Sequence, residues 1–151
     1  MHEPCPGISE SETVIPDDVI AAYRTAQYSF ELHGDNIDLR VDQPCSELKP
    51  LLEAATRPTA FSITAWNPLG INVTREENDA AQAELLRVLQ TSAHTFLPAS
   101  GADPDGTWGP EPGFLVFGLS CAAAIEIGNR FRQNALLWIG PDTIPRLLLL
   151  R

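Results

Sequence analysis

Two stretches of the chain decide the predicted fold. Residues 60–92 read AFSITAWNPLGINVTREENDAAQAELLRVLQTS, and residues 113–139 read GFLVFGLSCAAAIEIGNRFRQNALLWI. The first stretch predicts a strand and an amphipathic helix, and the second predicts a strand, a helix and a strand. Residues 94–98, between the two stretches, predict one more short strand. The order over residues 60–139 is therefore β-α-β-β-α-β, which is typical of a ferredoxin-like plait.

Both predicted helices begin at residues that can cap them. Thr74 and Glu77 have the spacing of a capping box, in which the hydroxyl and the carboxylate satisfy free backbone amides. This helix is predicted to run to about Ser92, with Leu85 among its buried residues. Ser120 stands immediately before the second helix as its cap.

The part of the chain before residue 60 is predicted to add helices and a hairpin to the plait. Two short alternating segments flank a turn sequence, His33-Gly-Asp-Asn36, and therefore predict a β-hairpin. The predicted elements are a helix over residues 17–27, strands over 28–32 and 37–41, and a helix over 46–55. Residues 1–14 are predicted to form a flexible N-terminal arm, and residues 15–151 a single α+β domain.

The charge balance excludes some partners. Acidic residues outnumber basic ones by 20 to 10, so the formal net charge is −10, and Lys49 is the only lysine. Such a chain repels nucleic-acid phosphates and anionic membranes, so neither is an expected partner. The apolar runs are far shorter than the ~20 residues that span a bilayer. The N-terminus lacks the basic and apolar pattern of a signal peptide, so a cytoplasmic location is predicted.

The cysteines and histidines suggest no metal site. The three cysteines are an odd number and lie far apart in the sequence, so they predict neither a disulfide framework nor a zinc knuckle. The histidines have no metal-ligand spacing, and no cofactor motif is present. We therefore expect no metal and no cofactor, and we place Cys121 in the core. The residues concerned are Cys5, Cys45, Cys121, His2, His33 and His94.

Polar residues cluster where several predicted strands begin or end. In the ferredoxin-like topology, the end of strand 60–66 lies at the same edge as the beginnings of strands 113–119 and 135–139. The long loop 99–112 is expected at this edge as well. We predict a ligand-binding site there, with six candidate residues: Asn67, Asn78, Trp108, Glu111, Gln133 and Asn134.

The amides of this set also have structural interpretations. Asn67 precedes Pro68 and can form a turn by bonding to nearby backbone amides. Asn78 falls on the buried side of its helix and can tie the helix start to that turn. Gln133 and Asn134 can cap the carboxyl end of the preceding helix. The sequence leaves both interpretations open.

The other two candidates, Glu111 and Trp108, also have two interpretations each. Glu111 lies between two prolines beside an apolar strand. If Glu111 is desolvated, its pKa is raised and it can act as a general acid or base. If it is an exposed loop residue, no such role follows. Trp108 belongs either to the core or to a lid formed by the long loop.

Four segments resemble a known bacterial family. They are residues 64–68 (TAWNP), Glu77-Asn78 at a helix start, residues 108–112 (WGPEP) and residues 131–135 (FRQNA). Together they make the chain similar, over roughly residues 28 to 139, to the family called domain of unknown function 3293. Gly109 departs from the family pattern, in which the tryptophan and the glutamate lie closer together. The resemblance implies kinship without an activity, and its segments coincide with the predicted polar edge.

Three functions are compatible with these features. The first is a non-catalytic small-molecule-binding or regulatory module, in which amides and one carboxylate bind a small uncharged or cationic ligand. The second is a metal-independent hydrolase or transferase with Glu111 as general acid or base and Asn67 or Gln133 orienting the substrate. The third is an acidic protein-interaction or inhibitor domain. A homodimer through the apolar run 147–150 is a further hypothesis.

Overall fold

The protein is an α+β domain with one seven-stranded antiparallel sheet. The computed structural model describes residues 5–92, 95–105 and 109–151. Four α-helices and one 3-10 turn (Pro68–Gly70) are found among these residues. The helices are α1 (Asp17–Thr25), α2 (Leu48–Ala54), α3 (Arg75–Ser92) and α4 (Cys121–Arg130). The strands are β1 (Gln27–Leu32), β2 (Asp35–Leu39), β3 (Ala60–Thr64), β4 (Thr95–Ala102), β5 (Glu111–Phe117), β6 (Ala135–Ile139) and β7 (Pro145–Leu149).

The predicted order of elements is present in the centre of the sheet. The strands lie in the order β2-β1-β4-β5-β3-β6-β7, so the four strands from β3 to β6 are adjacent. The predicted hairpin, β1 and β2, extends the sheet beside β4, and β7 extends it beside β6. The hairpin turn is shorter than predicted, because His33 and Gly34 both have positive φ and close a two-residue loop.

Helices cover both faces of the sheet. On one face, α3 and α4 pack against β3 and β5, with Leu85, Leu89 and Ala124 fully buried. On the other face, Leu48 and Leu52 of α2 and Ile20 of α1 are buried in two further clusters. Within the described ranges, no helix is both long and apolar enough to cross a membrane.

The loop predicted over residues 99–112 is shorter than expected, because its two ends, residues 99–102 and 111–112, are strand. Pro98, Gly101 and Pro112 favour loops by composition, but backbone pairing extends β4 to Ala102 and starts β5 at Glu111. Strand β1 pairs with the same stretch of β4 from the other side. Glu111 is therefore a strand residue of intermediate burial and not an exposed loop glutamate.

The leucine run at residues 147–150 forms the edge strand β7 and turns its side chains inward. Leu148 and Leu150 belong to the cluster around α3 and α4, while Leu147 and Leu149 pack in the cluster around α1. This run therefore offers no exposed apolar strip of the kind that motivated the homodimer hypothesis.

The N-terminal arm contains a disulfide that the sequence analysis did not predict. Cys5 is bonded to Cys121, which is also the buried core residue expected at the start of α4. The two cysteines are 116 residues apart in the sequence. They meet in the fold because residues 5–14 run along β7 and bring Cys5 next to the start of α4. The Ile8 N–H donates to the Leu149 carbonyl, and the Thr13 hydroxyl donates to the Arg151 carbonyl.

Candidate functional site

A cavity of about 100 Å³ lies between α1 and the sheet. Its walls come largely from the sheet face opposite α3 and α4, where small and polar side chains lie beside the apolar side chains of Leu137 and Leu147. Ser62 and Thr64 alternate with the buried Phe61 and Ile63 along β3, so the polar pair points to the cavity side. The residues that define the cavity are Tyr23, Tyr28, Ser62, Thr64, Glu111 and Asn134.

A wider groove of about 630 Å³ lies next to this cavity, and both are partly open to solvent. We call them the inner cavity and the outer groove. Its walls combine apolar side chains of α1 and the preceding arm with the acidic residues Asp18, Asp103 and Asp105. Four residues line both the cavity and the groove: Tyr23, Gly70, Glu111 and Asn134. Glu111 therefore lies at the junction between the inner cavity and the outer groove.

Glu111 has a raised pKa in this position. Burial raises the pKa of its carboxyl from 4.5 to about 7, and a hydrogen bond from Asn67 partly opposes the shift. That hydrogen bond, from Asn67 Nδ2 to Glu111 Oε1, is long at 3.4 Å. Across the described residues, no lysine or arginine forms an ion pair with Glu111. The carboxyl is thus poised to change its charge near neutral pH.

Asn67 and Asn78 hold each other in a reciprocal pair. The Asn67 backbone N–H donates to Asn78 Oδ1 at 2.8 Å, and Asn78 Nδ2 donates to Asn67 Oδ1 at 3.1 Å. Asn67 has a φ of 48°, in the left-handed region that asparagine tolerates better than most residues. Asn78 is 3% exposed and lines neither the cavity nor the groove. Its contacts thus match the structural interpretation, in which it ties the start of α3 to the turn.

We predict that Asn78→Ala lowers the free energy of unfolding by roughly 2 kcal/mol, because it removes a buried side chain's two hydrogen bonds and leaves the Asn67 backbone N–H without its partner. Gln90→Ala is a matched control, since Gln90 is an exposed amide on the same helix. Urea unfolding of the two variants and wild type measures the difference. Equal stabilities of Asn78→Ala and Gln90→Ala would show that the pair contributes nothing.

Tyr23 of α1 covers the cavity on the side opposite the sheet, and hydrogen bonds hold it there. The Tyr23 hydroxyl accepts a hydrogen bond from Asn134 Nδ2 at 3.0 Å, and Arg151 donates to Asn134 Oδ1 at 2.9 Å. The Tyr28 hydroxyl donates to the Tyr23 carbonyl at 2.7 Å. Burial, with Glu111 nearby, raises the pKa of both tyrosines, so both hydroxyls are neutral at physiological pH.

Gln133 supports the turn after α4 and also lines the inner cavity. Its Nε2 donates to the carbonyls of Trp66 and Phe131, both at 3.2 Å. Phe131 directly follows the last residue of α4, so this contact resembles the predicted capping of the carboxyl end of that helix. Asn134 makes no such contact and instead bonds Tyr23 and Arg151.

Most of the sequence-predicted residues come together. Asn67, Glu111, Gln133 and Asn134 line the cavity, the groove or both, and Asn78 lies directly behind Asn67. Trp108 lies outside the described residues. Among the described residues, no group of His, Cys, Asp and Glu side chains is arranged to hold a metal ion.

Tyr23, Tyr28 and Ser62 were not predicted as site residues. The two tyrosines belong to α1 and β1, which were treated as additions to the plait, and their position depends on how those elements pack. One signal was available for Ser62. Ser62 and Thr64 are polar residues at alternate positions of an otherwise apolar central strand, and this pattern indicates a polar cavity on one face.

The family comparison agrees with the resemblance stated above. A family model described as "Protein of unknown function (DUF3293)" matches residues 63–136. Residues 63–136 belong to the DUF3293 family. The DUF3293 match includes Asn67, Asn78, Glu111, Gln133 and Asn134, whereas Tyr23 and Tyr28 lie before it. No curated protein and no solved structure matches the chain. Membership of DUF3293 supplies no activity, so the function is inferred from the site itself.

Proposed function

We propose that this protein is a non-catalytic small-molecule-binding module whose ligand binds between α1 and the sheet. The observation that carries the proposal is the position of Glu111, a partly buried carboxyl at the junction of the inner cavity and the outer groove. Burying a carboxyl away from water costs stability unless a partner compensates it. Titratable groups with strongly shifted pKa values therefore concentrate at functional sites.

The dimensions of the site suit a small molecule with a compact end group. A cavity of ~150 Å³ accepts a benzene ring, so the inner cavity of about 100 Å³ takes a smaller group. The groove of about 630 Å³ has room for the rest of the ligand. Ligand pockets in proteins commonly measure ~300 to ~1,000 Å³, and the combined site is within this range.

Catalysis with Glu111 as general acid or base is the second candidate. The raised pKa of Glu111, about 7, favours it because proton transfer is most efficient when the pKa is near the working pH. An enzyme of this kind also needs groups that stabilise developing charge. The amide of Asn67 is engaged by Asn78 and Glu111, and Gln133 Nε2 donates to two backbone carbonyls. Because both predicted orienting residues are occupied, we favour binding without catalysis.

A thermal-shift screen against a metabolite library tests the proposed function. We expect at least one compound to raise the unfolding midpoint of wild type, because a ligand that binds only the folded state stabilises it. The same compound should leave two site variants unshifted: Glu111→Gln, which removes the carboxyl, and Ser62→Val, which narrows the inner cavity.

Glu126→Gln is the matched control for this screen, since it removes an exposed carboxylate on α4, at the opposite face of the sheet. The control should respond to the ligand as wild type does. The proposal fails if no compound shifts wild type, or if every active compound shifts the two site variants equally.

We describe residues 60–139 as a ferredoxin-like plait, which the strand order β4-β5-β3-β6 and the placement of α3 and α4 on one face support. The cytoplasmic location stays a prediction from the sequence. The Cys5–Cys121 disulfide weighs against it, because cytosolic thiols are usually kept reduced.

A further inference from the structure

We propose that the ligand carries a cationic end group, an ammonium or guanidinium on a short aliphatic chain, and that this group contacts Glu111 from the groove side. The inference rests on the proposed function and specifies the chemical class of the ligand.

Glu111 has no compensating positive charge among the described residues. In the described part of the chain, its one hydrogen bond comes from the neutral amide of Asn67, at 3.4 Å through Oε1. The other carboxylate oxygen of Glu111, Oε2, is therefore available to a ligand. A buried carboxylate normally has an ion-pair partner, because an isolated charge is poorly solvated inside a protein. A cation on the ligand would supply the missing partner.

The groove that leads to Glu111 combines apolar walls with negative charge. Val19, Ala22 and Leu69 provide apolar wall, while Asp18 and Asp105 add negative charge. Apolar walls suit the methylene groups of an aliphatic chain. The carboxylates attract cations and repel anions on the way in. The site thus favours an aliphatic cation over an anion of the same length.

Six other titratable or charged groups surround Glu111: Tyr23 and Asp18 of α1, Tyr28 of β1, Asp103 and Asp105 after β4, and Arg151. The tyrosine hydroxyls stay neutral, because burial raises the pKa of both. Arg151 donates to Asn134 Oδ1 instead of pairing with Glu111. None of these groups therefore supplies the positive charge that would pair with the Glu111 carboxylate.

A cationic ligand couples its binding to the protonation of Glu111. The free site is half-protonated near pH 7, where the pKa of Glu111 lies, and a bound cation favours the carboxylate. Below pH 7 the cation competes with a proton, so its affinity falls as the pH is lowered, by at most about tenfold for each pH unit. A neutral ligand displaces no proton and lacks this dependence.

Four probes of equal chain length test the inference: n-butylamine, n-butylguanidine, n-butanol and butyrate. Their dissociation constants are measured at pH 6 and pH 8 by following backbone amide signals in NMR titrations. We expect the two cations to bind wild type at pH 8 more tightly than butanol by about tenfold or more, which is the scale of one favourable charge contact. We expect butyrate to bind most weakly. Only the cations should lose affinity at pH 6.

Glu111→Gln should abolish both the preference for the cations and their pH dependence, whereas Glu126→Gln should retain both. The inference is overturned if the cations bind no tighter than butanol, if they fail to bind, or if Glu111→Gln binds them as wild type does. A neutral or anionic library ligand that Ser62→Val no longer binds would overturn the inference and leave the proposed function standing. A screen in which no compound binds the site would instead remove the proposed function itself.

Discussion

Replacing Cys5 by serine is expected to lower the free energy of unfolding of the oxidised protein by roughly 4 kcal/mol. The Cys5–Cys121 bond closes a loop with a sequence separation of 116 residues. A cross-link over ~100 residues removes enough freedom from the unfolded chain to contribute ~4.7 kcal/mol in the chain-entropy model. Cys5 is the better position to change, because Cys121 is buried in the core and its replacement would also disturb packing.

Urea unfolding with and without a reducing agent measures this effect. Reduction should bring wild type down to the stability of Cys5→Ser and should leave Cys5→Ser itself unchanged. Cys45→Ala is the control, because Cys45 is a free, buried thiol, and this variant should keep the response to the reducing agent. A wild-type protein that shows three free thiols under non-reducing conditions, or no loss of stability on reduction, would contradict the disulfide.

Replacing Glu111 by glutamine is expected to stabilise the protein at pH 8 by roughly 2 kcal/mol. Burial raises the pKa of Glu111 from 4.5 to about 7, so the folded state disfavours the charged carboxylate. The figure follows from the size of that shift after allowance for the partial exposure of the side chain. Glutamine keeps a similar shape and an oxygen that accepts the hydrogen bond from Asn67, but it carries no charge.

The sign of the pH dependence follows from the direction of the pKa shift. Between pH 4.5 and pH 7 the folded state binds more protons at Glu111 than the unfolded state does, so wild type loses stability as the pH rises through this window. Glu111→Gln should lack this loss, so the two proteins should have similar stability at pH 4.5 and differ at pH 8. Urea unfolding at both pH values, with Glu126→Gln as control, measures the difference. If Glu111→Gln were less stable than wild type at pH 8, the burial of an uncompensated carboxyl would be contradicted.

The elements with strong local signals could be predicted from the sequence. The first turn of α3 contains the Thr74 half of the predicted capping box, since the Glu77 N–H donates to the Thr74 hydroxyl at 3.1 Å. Ser120 caps α4 by accepting a bond from the Ala123 N–H. In both cases the information lies within four residues of sequence, where capping chemistry acts.

The features that depend on distant parts of the chain were missed. The extension of β4 and β5 comes from pairing with each other and with β1, which outweighs the loop preference of Pro98 and Gly101. The disulfide depends on the path of the N-terminal arm along β7. The site was predicted in part, because Asn67, Glu111 and Asn134 flank strand ends, whereas the side that covers the cavity depends on how α1 packs on the sheet.

Glu111 is a partly buried carboxyl at the proposed ligand cavity, and its own titration tests this most directly. Carbon-13 labelling of the glutamate side chains, with Glu111→Gln used to assign the signal, gives the pKa of this one carboxyl by NMR. The account predicts a pKa of about 7 in the free protein, and a lower value when an aliphatic amine is bound. A pKa near 4.5 in the free protein would contradict it, because it would mean that Glu111 is fully hydrated.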